Sequence, residues 1–393
     1  MADYLEELIN IPVGPLGIIA MPGCEEMGKK LDFYLTKWRS EREHEHKDTI
    51  TFRGYDRDSF LIEVACPRFG SGEAKGVIKR SVRGLDLYII ADVFNYGVEY
   101  KMYGRQVPMS PDDHYADLKR IIAAAQGKAK RINVIMPMLY EGRQHRRTGR
   151  ESLDSATALQ ELVSMGVSNI ITFDAHDPRV QMAIPDHGFD NVMPTYQMIK
   201  ALVNNVPDVR IDPDHLMIIS PDEGAMARGI YFSSVLGVDL GMFYKRRDYS
   251  RVVNGKNPIV AHEYLGADVA GKDIIIVDDM ISSGDSVLDL GAKLKSLNAR
   301  NIYVCTTFGL FCNGLEHFDK AYEEGLISKV FTTNGIYSTP ELLAREWYCP
   351  VDLSKYISYI IDTLNHDASI SGLLEPTKKI NALLVKKGKK TIK

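Results

Sequence analysis

Apolar residues in this chain fall into two patterns. Unbroken aliphatic runs such as Ile274-Ile275-Ile276-Val277 do not alternate with polar positions, as expected of strands covered on both faces. Between such runs apolar positions recur at helical spacing, as at Val287, Leu288, Leu290 and Leu294. In the first half the pattern predicts strands at 16–21, 60–66, 86–92, 131–136 and 169–173, with helices at 115–126 and 155–165. The second half continues the rhythm, with strands at 216–220, 273–277 and 301–306 and helices at 225–236 and 286–297. Two stretches, "LQELVSMGVSNIITFDAH" and "LGAKLKSLNARNIYVCTTFG", share the order helix, turn, strand, and each strand opens on Asn-Ile. One such match is weak evidence for an internal repeat, because any βαβ unit looks similar. Strands alternating with helices predict the α/β class, as two tandem doubly wound domains with parallel central sheets. The division is expected at 1–190 and 191–393, in the proline-bearing stretch 185–194.

Composition narrows the partners. The 393 residues are 45% apolar and 25% charged, which is ordinary for a globular protein. A net charge of −4, from 48 basic and 52 acidic residues, argues against general affinity for nucleic acid or anionic membranes. No apolar run reaches membrane-spanning length, and the opening MADYLEELIN lacks the basic-then-apolar pattern of a signal peptide. Cys24, Cys66, Cys305, Cys312 and Cys349 are scattered, odd in number and without a C-x-x-C pair, which suits a reducing compartment. A cytoplasmic protein is expected. The run EREHEHKD (41–48) reads as a solvated charged face, and its His44 and His46 have no metal partners discernible in the sequence.

The chemistry gathers in "DIIIVDDMISSGDSVLDLGAKLK" (273–295), which reads as strand, tight loop and helix. The carboxyl ends of parallel strands are where open α/β sheets bind ligands. Two other stretches imitate a phosphate loop. Gly23 to Lys29 is followed by Lys30 where a Mg2+-binding Ser or Thr belongs, and Gly266 to Lys272 precedes its strand instead of following it. In the 273–295 stretch the amides from Ser282 to Ser286 suit an anion-binding nest backed by a helix amino terminus. Asp278 and Asp279 suit sugar hydroxyls or a hydrated Mg2+. Acidic, serine-rich βα loops are common, so this stretch alone leaves a ligand site and an ordinary loop equally open.

Further motifs shift that balance. "IIIVDDMISSGDS" resembles the phosphoribosyl-diphosphate-binding loop of the type I phosphoribosyltransferase fold. With "SVRGLDLYII" (81–90), "GRQHRR" (142–147), "ITFDAHD" (171–177), "IISPDEGAMAR" (218–228) and "YKRRDYSRVV" (244–253), the chain resembles the ribose-phosphate diphosphokinase (phosphoribosyl diphosphate synthetase) family. "VDLSKYISYIIDTLNHDASISGLL" (351–374) is similar to that family's last helix and tail, so the likeness spans residues 69 to 375.

The resemblance implies transfer of the diphosphoryl group of ATP to the 1-hydroxyl of ribose 5-phosphate, giving 5-phosphoribosyl 1-diphosphate and AMP for nucleotide biosynthesis. It implies Lys245 and Arg247 as the catalytic pair at the transferring phosphates, and Arg143 and Gln144 as ATP contacts, with Arg146, Arg147 and Arg150 adding positive field. Counting back from "SVRG" places Phe69, Ser71 and Glu73 on the family's adenine-contacting Phe-x-Asp/Asn-x-Glu. His176, Asp174 and Asp222 would serve Mg2+. Asp278 and Asp279 would take the ribose hydroxyls, and Ser282, Ser283, Gly284, Asp285 and Ser286 the 5-phosphate. The family also implies a homo-oligomer with adenine sites shared between subunits. Three departures stand out: Ser71 is shorter than the usual residue, "FDAHDP" replaces Asp-Leu-His, and the Ser-Ser-Gly-Asp-Ser loop is closer to salvage transferases. The alternatives are a purine or pyrimidine phosphoribosyltransferase, which lacks the Lys245/Arg247 and Arg143-Gln144 stretches, and a catalytically silent partner subunit.

Overall fold

The protein's structure, a computed structural model, describes residues 11–42, 52, 54–247 and 259–390, apart from the side chains of 245–247 and 259–262. His44 and His46 lie outside the described residues. The chain divides into two compact units, the first comprising 1–193, 335–337 and 352–375, the second 194–334, 338–351 and 376–393.

In the first unit the strands Leu16–Ala20, Asp86–Ile90, Arg131–Ile135, Asn169–Phe173 and Gly188–Val192 lie side by side in that order, all parallel. Alternate residues of these strands (Ile19, Leu87, Ile89, Ile132, Val134) share one core with the helices Pro111–Ala125 and Asp154–Ser164. The first of these helices begins ahead of the apolar pattern. Ser110 and Asp113 form a reciprocal capping box around Pro111, so the polar turn before Tyr115 is already helical. The expected strand 60–66 is reduced to Val64–Ala65, paired with Val77–Ile78. The backbone of Phe60 and Ile62 bonds the first strand at Ile18, at 2.9 and 2.7 Å, as an isolated bridge that does not make a ladder.

In the second unit the order is Ile259–Leu265, Asp239–Arg247, Leu216–Ser220, Asp273–Ile281, Ile302–Gly309, Lys329–Thr333 and Tyr348–Val351. The first pairs antiparallel to its neighbour and the rest are parallel. The aliphatic run is covered on both faces, as its lack of alternation predicts. Ile274 and Ile276 pack with Val287, Leu290 and Leu294, while Ile275 and Val277 pack with Phe232, Val235 and Leu236. Two α/β units with parallel central sheets are thus present.

Each sheet opens an inner strand with a buried aspartate held by an arginine fork. Asp86 accepts from Arg131 Nε and Nη2, both at 2.7 Å, and from Asn133 at 2.9 Å. Asp273 accepts from Arg300 Nε at 2.8 Å, Nη2 at 2.5 Å, and from Asn301 at 2.9 Å.

The helix Ser354–Asn365 packs with the first unit, although it lies within the 191–393 stretch expected as the second domain. Its Tyr359 ring stacks on Trp38 at 4.4 Å. Its Asp362, fully buried, pairs with Arg39 at 3.2 Å and Arg42 at 2.6 Å. Both arginines belong to or directly follow the helix Glu25–Glu41, where Gly28 lies against Ala20 and would bring an added Cβ to 2.7 Å from it. Gly28 is therefore a helix–strand packing residue, and the phosphate-loop likeness at 23–29 is incidental. Among the described residues no helix is long and apolar enough to cross a membrane.

Candidate active site

The strand Asp273–Ile281 runs past its aliphatic core, so Asp278 and Asp279 stand at its carboxyl end with Asp278 still in register with Thr306. Asp279 is 4% exposed, and its amide donates to Asp278 Oδ1 at 2.9 Å. Burial, reinforced by the charge of Asp279 and then of Asp222, holds the Asp278 carboxyl well above the usual carboxylate range. Asp222 lies in the loop after Leu216–Ser220, where its Oδ1 accepts from the amides of Gly224 at 2.9 Å and Ala225 at 3.3 Å. The structure thus gathers three of the predicted acids into one field. Each would gain from a cation or from hydroxyl donors.

Beyond the acids, Gly284 turns the chain with φ +95° immediately before the helix Asp285–Ser296. A Cβ there would meet the Phe318 ring at 2.3 Å, so only glycine fits both the dihedral and the space. Ser282, Ser283, Asp285 and Ser286 surround this turn at the helix amino terminus, a place suited to an anion. Lys245 and Arg247 end the strand Asp239–Arg247, opposite His262 and Ile259, with a register shift between Arg246 and Arg247. Their side chains are outside the described residues.

The first unit carries the other predicted residues. Phe69, Ser71 and Glu73 occupy the tip between Val64–Ala65 and Val77–Ile78, closed by Phe69 N–H to Glu73 O at 2.7 Å. Phe69 is 58% exposed. The Ser71 hydroxyl donates to Glu73 Oε2 at 2.9 Å, so it orients the neighbouring carboxylate. Arg143 and Gln144 lie in the loop between Arg131–Ile135 and Asp154–Ser164. Arg143 is exposed, whereas the Gln144 amide nitrogen donates to Arg146 O at 3.3 Å and Ser152 O at 3.0 Å, which shapes the basic loop.

Asp174 adopts φ +43° just after Asn169–Phe173 and is 4% exposed, while His176 two residues on is exposed. The strained turn presents His176 at the sheet edge. Sequence reasoning did not single out His145, whose ring lies 5.4 Å from that of His176 and whose Nε2 is 3.4 Å from Asp177 Oδ2. It also passed over Asp177 itself. Arg179 grips this carboxylate through its guanidinium and its backbone amide and draws it down to about 2. The quoted motifs contain both residues, and their adjacency to Gln144 and His176 was the available signal.

No group of three or more His, Cys, Asp or Glu side chains that could hold a metal ion by itself occurs among the described residues. Mg2+ is usually bound by one or two carboxylates together with substrate phosphates and water, so its binding does not require such a group. Asp222 in the second unit, and Asp174 with His176 in the first, are each of the kind that shares an ion with phosphates in this way.

Residues 25–166 match the family profile of the N-terminal domain of ribose phosphate pyrophosphokinase, and residues 195–334 that of the phosphoribosyl transferase domain. The chain is 28% identical over 313 residues to the ribose-phosphate pyrophosphokinase of Mycoplasma pneumoniae, across 78% of this chain and 85% of that one. It is 26% identical over 318 residues to the enzyme of the same name from Vibrio parahaemolyticus, across 80% of this chain and 91% of that one. Among solved structures, phosphoribosylpyrophosphate synthetase from Mycobacterium smegmatis shares the fold with a TM-score of 0.70 at 19% identity, over 90% of this chain and 99% of that one.

Proposed function

Because the chain belongs to the ribose phosphate pyrophosphokinase family, whose members are diphosphotransferases, we propose that it moves the β,γ-diphosphoryl group of ATP onto the 1-hydroxyl of ribose 5-phosphate. The products are AMP and 5-phosphoribosyl 1-diphosphate. The observation that carries this reading is the carboxyl end of Asp273–Ile281, where paired acids precede a loop that only glycine can turn.

In this reading Asp278 and Asp279 accept the ribose hydroxyls, and Ser282, Ser283, Gly284, Asp285 and Ser286 cradle the 5-phosphate. Asp222, Asp174 and His176 are the residues that would hold Mg2+, an ion that would neutralise charge on the phosphates. Lys245 and Arg247 stabilise charge on the group in transfer; such transfer needs positioning and positive field more than covalent chemistry. Phe69 stacks on the adenine, Glu73 accepts from it with Ser71 setting its orientation, and Arg143 and Gln144 engage the ATP phosphates.

Product analysis tests the proposal most directly. Incubation with ATP, Mg2+ and ribose 5-phosphate should give AMP and 5-phosphoribosyl 1-diphosphate in equal amounts. ADP as the nucleotide product would replace the assignment with ordinary γ-transfer. Conversion of supplied 5-phosphoribosyl 1-diphosphate and a nucleobase to nucleoside monophosphate and diphosphate, with no turnover of ATP and ribose 5-phosphate, would point instead to a salvage phosphoribosyltransferase.

A further inference from the structure

Next to the Phe69 loop stands a second hairpin, Glu99–Met102 with Arg105–Pro108. Its turn residues Tyr103 and Gly104 both have positive φ, at +47° and +79°. A two-residue turn of this kind favours Asn or Asp followed by Gly, and a bulky aromatic in its first position is strained. The Tyr103 ring does not recover that strain by packing, because the residue is 80% exposed. Backbone strain without a folding reward is a mark of a functional position.

The turn is also held in place against the loop beside it. The Tyr103 amide donates to Gly70 O at 2.9 Å, between Phe69 and Ser71. Met102 packs so closely on Gly72 that an added Cβ would lie 2.8 Å from its sulfur. Arg68 sits over the Tyr100 ring at 4.5 Å. The exposed cations Lys101 and Arg105 flank the tip, a charge suited to polyphosphate.

We propose that Tyr103 is a base-recognition residue: its ring offers a nucleotide purine a second aromatic surface beside Phe69. This rests on the reading of the Phe69–Glu73 tip as the nucleotide loop and adds a second hairpin to it. Stacking favours any large π face, so the contribution selects purines over pyrimidines more than adenine over guanine.

Calorimetric titration of the full chain with ATP and with inorganic tripolyphosphate, both with Mg2+, tests it. Tyr103→Asn supplies the residue the turn prefers, so the hairpin is kept while the ring is lost. ATP should bind at least about five-fold more weakly to Tyr103→Asn, with tripolyphosphate unchanged, and Tyr103→Phe should retain the original ATP affinity. Unchanged ATP binding in Tyr103→Asn overturns the proposal, as does an equal loss for tripolyphosphate. Phe69→Ala, measured alongside, separates the two readings. If it weakens ATP while Tyr103→Asn does not, only the role of Tyr103 falls. If neither does, the nucleotide loop falls with it.

Discussion

Asp86 and Asp273 occupy matching places in their two sheets, each opening an inner strand and each gripped by an arginine fork and an asparagine at, or just before, the start of the next strand. The same distance further along come Asp92 and Asp279, and there the units part. Asp92 accepts backbone amides from Phe94 at 2.9 Å and Tyr337 at 2.7 Å, fastening the 335–337 segment to the first unit. Asp279 instead stands beside Asp278 and in the field of Asp222, ahead of the left-handed Gly284 turn. An acid committed to two amides anchors the chain, whereas acids crowded together favour a cation or a polyhydroxyl ligand. One scaffold thus yields an anchor at one sheet edge and a candidate site at the other.

The largest expected effect tests the likeness at the strand starts. Arg131→Ala would leave the fully buried Asp86 carboxylate without its fork, costing about 3–5 kcal/mol in urea denaturation. Arg300 is 45% exposed, so water can partly replace it, and Arg300→Ala should cost roughly 1–2 kcal/mol. Equal losses would show that the two forks do not differ in burial where it matters.

The difference at the strand ends is probed by activity. Lys245→Ala and Arg247→Ala should each lower kcat by about 10²–10³ with little change in KM for ribose 5-phosphate. Unchanged kcat in both would make this pair an ordinary solvated loop. Asp279→Asn should raise KM for ribose 5-phosphate roughly 10- to 100-fold, the worth of a hydrogen bond to a charged group.

Its counterpart should act on stability alone. Burial, only partly offset by the amides of Phe94 and Tyr337, pushes Asp92 from an ordinary 3.8 up to about 7. The folded state therefore binds a proton that the unfolded state has released between those values. That contribution is fully present below about 3.8 and lost as pH rises through about 7. Asp92→Asn should flatten the fall in stability between about pH 4 and 7 without altering KM for ribose 5-phosphate. An Asp92→Asn effect on that KM would undo the distinction between anchor and site. The smallest effect belongs to Ser71→Ala, which frees Glu73 and should change the ratio of kcat/KM for ATP and GTP by no more than about tenfold.

Much of this was legible in the residues. Ile274 to Val277 cannot face water on either side, so a strand buried in a layered α/β unit was the only economical outcome, and the small residues after it had to form a loop at its carboxyl end. The hairpin Glu99–Pro108 was not legible, because its half-buried Tyr100, Met102 and Val107 are few and its other positions are exposed. His145 was hidden inside a basic motif whose arginines drew the attention.

By itself the sequence determined which positions must be buried and which loops could carry phosphate chemistry, since burial and backbone freedom are local properties of residue type. Only the tertiary structure decided what each surface packs against. The apolar spacing of Ser354–Asn365 specifies a buried face but not its partner. The choice of the first unit rests on Asp362 meeting Arg39 and Arg42 from the other end of the chain. A buried carboxylate needs a partner wherever the fold can bring one, and no local pattern records where that will be.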